Sequence, residues 1–105
     1  MAYVPTYVEE TLSREEVDAL PGLIALEFGA NWCGHCQAAQ PAIMAALGDC
    51  VVLRHIKVED GPGRRLGRSF RVKLWPTLIL MRDGREIGRV VRPTSTQEVS
   101  DLLAG

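Results

Sequence analysis

Two thiols, Cys33 and Cys36, stand two residues apart in the pentapeptide Trp32-Cys33-Gly34-His35-Cys36. Such a pair can close a small disulfide ring or stay as a dithiol. It follows the apolar run Leu23-Ile24-Ala25-Leu26-Glu27-Phe28 and precedes an alanine-rich stretch that reads as a helix. A sulfur at the first turn of a helix faces unsatisfied backbone N–H groups and the positive end of the helix dipole, and both favour an anion. The pKa of Cys33 is therefore expected to fall, and the thiolate is the nucleophile of disulfide exchange. In that chemistry Cys33 attacks a substrate disulfide and Cys36 resolves the mixed disulfide. The competing use of such a pair is half of a zinc site, which needs four ligands. Only Cys50, His35 and His55 could complete one and no second CxxC exists, so no metal is expected.

Other residues bear on the same chemistry. His35, as a cation between the sulfurs, would stabilise the thiolate and make the disulfide more oxidising; otherwise it is merely solvated. Glu27 is the one acid in the apolar run. Burial without a partner should raise its pKa, and it could exchange protons with Cys36 through water, unless it lies at a strand end open to solvent. His55 and Lys57 share a strand face and either could partner it. Trp32 and Trp75 are candidate walls of a shallow groove, with core packing the alternative for Trp75. Backbone groups of Trp75 would pair with an extended substrate segment. Cys50 reads as a small buried hydrophobe. Arg64, Arg68 and Arg71 fall at helical spacing as one basic face, solvated or steering an acidic partner protein.

The elements that must position these groups are legible in order. Val4 to Val8 is a candidate first strand with Pro5 at its start or on an edge. Ser13-Arg14-Glu15-Glu16 fits a capping box for a short helix stopped by Pro21-Gly22. Leu23 to Ala30, nearly all apolar, predicts a strand buried on both faces. A helix over Cys33 to Leu47 contains Pro41, which should kink it. Val51 to Val58 is the next strand, Arg64 to Phe70 a short helix and Thr77 to Arg82 a strand. Asp83-Gly84 turns a hairpin into Arg85 to Val91. Ser95-Thr96-Gln97-Glu98 is a second capping box, opening a helix that turns Val99, Leu102 and Leu103 inward. The order β-α-β-α-β-α-β-β-α predicts an α/β fold in which a parallel half joins an antiparallel hairpin, with helices on both faces.

The 105 residues suffice for one domain, residues 1–105, and are too few for two. Net charge is −1, with −6 in the first 53 residues and +5 in the rest. That balance, without aromatic residues interleaved among the basic ones, argues against nucleic-acid binding. No apolar run approaches the roughly 20 residues needed to cross a bilayer, so no membrane role is expected. Three cysteines are an odd count and too few for a disulfide framework. The start, Met1-Ala2-Tyr3-Val4-Pro5, has neither the basic residues nor the apolar segment of a secretory signal. If it is native, a cytoplasmic protein is expected.

With Trp32 to Cys36 after the second strand, Pro41 in the following helix, Trp75-Pro76-Thr77 before the fourth strand and the Asp83-Gly84 hairpin, the whole chain resembles the thioredoxin family. The resemblance implies the thioredoxin fold, a central mixed sheet of four to five strands flanked by helices. It implies a protein thiol–disulfide oxidoreductase with no cofactor beyond a redox-active Cys33–Cys36 disulfide. Cys33 would attack, Cys36 would resolve, Pro76 would be cis beside them, and Glu27 would match the family's buried acid. Protein disulfides would be the substrates and a thioredoxin-reductase-like enzyme the electron donor. A disulfide oxidase or isomerase, if the protein is exported, and a non-catalytic protein-binding module are the alternatives. Gly34-His35 is the isomerase-type dipeptide, which implies a potential above the about −270 mV of thioredoxin. Three positions depart from the family pattern: Gly29 where an aromatic is common, His55 near a common lysine, and Arg92 for a glycine beside the substrate groove.

Overall fold

The computed structural model describes residues 2–48 and 50–105. Its organising strand is β1 (Leu23–Gly29), pairing on one side with β2 (Leu53–Glu59) in parallel and on the other with β3 (Thr77–Arg82) antiparallel. The hairpin partner β4 (Arg85–Val91) completes a four-stranded mixed sheet in the order β2-β1-β3-β4. Ile24, Leu26 and Phe28 point into a layer built with Val17, Leu66, Phe70 and Ile79. Ala25 shares the opposite layer with Ile43, Leu47, Leu78 and Val99. Burial on both faces is what the apolar run encodes, and each fully buried Ile, Leu or Phe of β1 contributes about 1.5–3 kcal/mol.

Helices α1 (Arg14–Asp18) and α3 (Arg65–Ser69) supply residues to the first layer. Helices α2 (Gly34–Leu47) and α4 (Thr96–Ala104) supply the second. Among the described residues no helix is long and apolar enough to cross a membrane. The capping box of α1 is complete, with Ser13 accepting from the Glu16 N–H and Glu16 accepting from the Ser13 N–H. That of α4 is half formed: Ser95 caps the Glu98 N–H, while the Glu98 carboxylate accepts from the Thr94 hydroxyl instead. Helix α2 continues through Pro41 to Leu47. The Asp83-Gly84 turn has φ of 48° and 82°, the left-handed pair that a two-residue hairpin demands and glycine adopts freely.

Two strand assignments need correction. The first predicted strand shrinks to one bridge, Val8 to Val58. Pro5 has no N–H to give, the Val4 N–H donates to His55 Nδ1 at 2.8 Å, and Tyr7 spends both its N–H and C=O on the Asn31 side chain at 2.9 and 3.0 Å. Side chains have taken the hydrogen bonds that a strand would need. The second strand begins at Leu53, not Val51, because Leu53 pairs with Leu23, the first residue of β1. Upstream of it Val51 and Val52 stand 85% and 76% exposed.

Candidate active site

Cys33 is the N-cap of α2 and Cys36 lies in its first turn, both as free thiols. Burial alone would discourage ionisation of Cys33. It is outweighed by the N–H and thiol of Cys36, the N–H of His35 and the charge of Arg92, which together lower the pKa. Cys36 moves the other way, to about 11, because burial and the neighbouring Cys33 sulfur outweigh the stabilisation that the Ala30 N–H and the Tyr7 hydroxyl would give its thiolate. One sulfur is thus set up as nucleophile and its neighbour held as a thiol. His35 acts on Cys33 through its backbone N–H; its imidazole, the group expected to act as a cation, is exposed and lines a small cleft with Arg92 and Pro93.

Glu27 is 0% exposed on the α2 side of β1. The expected rise in its pKa does not occur. Burial pushes it up, but hydrogen bonds from His55, Tyr7 and Gln40 and the charge of Lys57 bring it below the ordinary carboxyl value. The choice between His55 and Lys57 resolves into two roles. His55 Nε2 contacts Glu27 Oε1 directly at 2.8 Å. Because the Val4 N–H can only donate, His55 Nδ1 is the lone-pair nitrogen, Nε2 carries the proton, and the ring is a neutral donor. Lys57 reaches the network through Gln40 Oε1 at 2.5 Å and Pro5 O at 2.8 Å. Gln40 Nε2 in turn donates to Glu27 Oε2 at 3.0 Å.

Sequence reasoning missed Tyr7, whose hydroxyl hydrogen-bonds Glu27 Oε2 and whose ring packs beside Cys36. It missed Gln40 as well. The signals were present: Gln40 lies one helical turn after Cys36, and Gly29 leaves a gap beside the thiols. A Cβ on Gly29 would lie 2.6 Å from Cys36 Sγ and 2.7 Å from the Tyr7 hydroxyl. Glycine is required there because the ring of Tyr7 fills the space.

Trp75 and Trp32 meet edge-to-face, with ring centroids 5.7 Å apart and planes at 77°. Trp32 is 75% exposed, whereas Trp75 is half-buried and donates its indole N–H to Asp60 Oδ2 at 2.9 Å. The Trp75–Pro76 bond is cis and Pro76 is buried. Arg92, at φ 50°, donates its Nε to the Trp75 carbonyl at 2.7 Å, so one of the backbone groups expected to face substrate already has a partner. Beyond Trp75 opens a groove of about 580 Å³ lined by Asp60, Arg64, Arg68, Arg71, Val72 and Lys73. Arg64 pairs with Glu59 at 2.8 Å; among the described residues Arg68, Arg71 and Lys73 form no ion pair.

A sulfur activated at a helix start, a second one protonated behind it and a buried carboxylate linked to the second are the parts that disulfide exchange needs. The comparisons agree. The sequence profile described as Thioredoxin matches residues 5–104. The reduced form of thioredoxin 2 from Pseudomonas aeruginosa PAO1 is 51% identical, with a TM-score of 0.84 over 96% of this chain and 98% of that one. The thioredoxin of Chlamydia pneumoniae is 30% identical over 88% of this chain and 92% of its own. Thioredoxin H2-1 of Oryza sativa subsp. japonica is 33% identical over 66% of this chain, a match that spans half (50%) of the rice protein. By profile, fold and paired cysteines, this chain belongs to the thioredoxin family of protein thiol–disulfide oxidoreductases.

Proposed function

We propose that this chain, as one domain, reduces disulfides in protein substrates in the cytoplasm and is itself re-reduced by a thioredoxin-reductase-like enzyme. The observation that carries the reading is the placement of two free thiols at the start of one helix, Cys33 at its N-cap and Cys36 in its first turn, with the buried Glu27 nearby; that placement lowers the pKa of Cys33 and raises that of Cys36. Thiolate Cys33 attacks one sulfur of the substrate disulfide and displaces the other as a thiolate. Cys36 then gives up its proton and attacks Cys33, which releases the second substrate thiol and leaves a Cys33–Cys36 disulfide. Two electrons pass from the dithiol to the substrate, so no external cofactor takes part in the exchange.

Trp32, Trp75 and Pro76 form the apolar floor on which an extended segment of the substrate lies. Arg92 keeps a cation at Cys33 and orders the Trp75 carbonyl. Arg68, Arg71 and Lys73, without ion pairs among the described residues, suit a partner with acidic side chains flanking its disulfide, an attraction that salt would weaken. The test is reduction of insulin disulfides by dithiothreitol with wild type and Cys33→Ser. Catalysis by wild type that vanishes in Cys33→Ser is expected; equal rates overturn the reading. A specific observation favours the second reading, an oxidase or isomerase: the His35 N–H and Arg92 both stabilise the Cys33 thiolate, which raises the potential. Equilibration with glutathione separates them, and a potential at or below about −270 mV excludes the oxidising role.

A further inference from the structure

The N-terminal segment is tied to the site far more closely than a mere extension requires. Asn31 holds the Tyr7 backbone at two points, 2.9 and 3.0 Å. Val8 bridges β2, with Val8 N to Lys57 O at 3.1 Å and Glu59 N to Val8 O at 2.7 Å. Gly29 is bare of the Cβ that would collide with the ring. The outcome of all three is that a single buried phenol oxygen, hydrogen-bonded to the carboxylate of Glu27, lies beside the sulfur of Cys36, both facing the bare Cα of Gly29. Gln40 Nε2 stands 3.4 Å from that oxygen and 3.0 Å from Glu27 Oε2, fixing the two relative to each other.

We propose that the Tyr7 hydroxyl is the proton relay of the resolving step, occupying with a covalently fixed oxygen the place that a mobile water would otherwise take between Cys36 and Glu27. The inference rests on the disulfide-exchange reading above. In the resting dithiol Tyr7 O–H donates to Glu27 Oε2, and its oxygen is free to accept from the Cys36 S–H. As Cys36 Sγ bonds to Cys33 Sγ, the Cys33–substrate S–S bond breaks and its electron pair leaves on the substrate sulfur. The Cys36 proton passes to the Tyr7 oxygen while the Tyr7 proton passes to Glu27. A thiol becomes strongly acidic as its sulfur forms a new bond, so even a carboxylate of lowered pKa serves as acceptor when the two events coincide. Tyr7 itself is never ionised: burial, with Glu27 and Cys36 beside it, drives its pKa far upward. Protonated Glu27 then returns its proton to solvent or, in the reverse direction, to the leaving Cys36.

The test is stopped-flow oxidation of the reduced protein by a peptide disulfide, followed by the fluorescence of Trp32 and Trp75. At low peptide concentration it reports attack by Cys33, and its plateau at high concentration reports resolution. Tyr7→Phe keeps the ring in its slot. Expected are an attack rate within about twofold of wild type and a plateau at pH 7 lowered about tenfold or more, the range of a lost acid–base group. The plateau should regain rate as pH rises and solvent takes the proton. The groups that face this path are Cys33, Cys36, Glu27, His55, Lys57, Tyr3 and Arg92, and the substitution leaves all of them in place. Wild type alone provides a second readout that needs no variant: rates in mixed H₂O and D₂O should curve, because two protons move together. A linear dependence in wild type, or a Tyr7→Phe plateau unchanged at pH 7, overturns the relay. Absence of any turnover by wild type would instead overturn the function on which it rests.

Discussion

Replacing Glu27 by glutamine tests the buried network most sharply. The carboxylate accepts from His55 on Oε1 and from Tyr7 and Gln40 on Oε2, in a position 0% exposed. Glutamine keeps one oxygen. Turned toward Tyr7 and Gln40 it retains two bonds, now neutral, and sets its NH₂ against the His55 Nε2–H. His55 cannot switch tautomer without abandoning the Val4 N–H. One buried donor left unpaired costs about 1–3 kcal/mol, and each charge-assisted bond made neutral costs about 1 kcal/mol more. The cheaper burial of an amide returns part of this, leaving a net loss of about 2–4 kcal/mol. For a chain of this size the Tm falls by roughly 10–25 °C. The pH dependence carries the sign. The folded pKa of Glu27 lies below its ordinary value of 4.5, so its contribution is fully present above pH 4.5 and is lost as pH falls through the folded value. Urea unfolding of both proteins at pH 7, 5, 4 and 3 should show a gap that is constant down to about pH 5 and narrows below it. A gap under about 1 kcal/mol at pH 7, or one that stays unchanged at pH 3, would refute the assignment of these hydrogen bonds to an ionised Glu27.

Two further substitutions probe the rim and floor of the site. Arg92→Gly removes the cation near Cys33 and suits the backbone at φ 50°. It should slow iodoacetamide capture of Cys33 below neutral pH by raising the thiol pKa while changing stability by no more than about 1 kcal/mol; an unmoved titration midpoint contradicts the role of Arg92. Gly29→Ala sets a Cβ 2.6 Å from Cys36 Sγ and 2.7 Å from Tyr7. The resulting overpacking should cost about 1–3 kcal/mol in thermal unfolding and expel the Tyr7 ring, which a variant as stable as wild type would disprove.

The sequence by itself determined what short-range chemistry controls. The apolar run of β1, the thiol pair at the start of α2, the Asp83-Gly84 hairpin and the Ser13 capping box each depend on neighbours within a few residues, and each was legible. So was Glu27 as the lone acid in a buried strand. What only the tertiary structure decided is how that acid is satisfied. Its partners come from the N-terminal segment, α2 and β2, and four of them outweigh the burial that by itself would have raised its pKa. The same long-range competition dissolved the first strand, because the backbone of residues 4–7 found His55, Lys57 and Asn31 before it found a sheet. A hydrogen bond has no memory of sequence separation, so the phenol of Tyr7 reaches Glu27 across 20 residues and completes a site that local pattern leaves open.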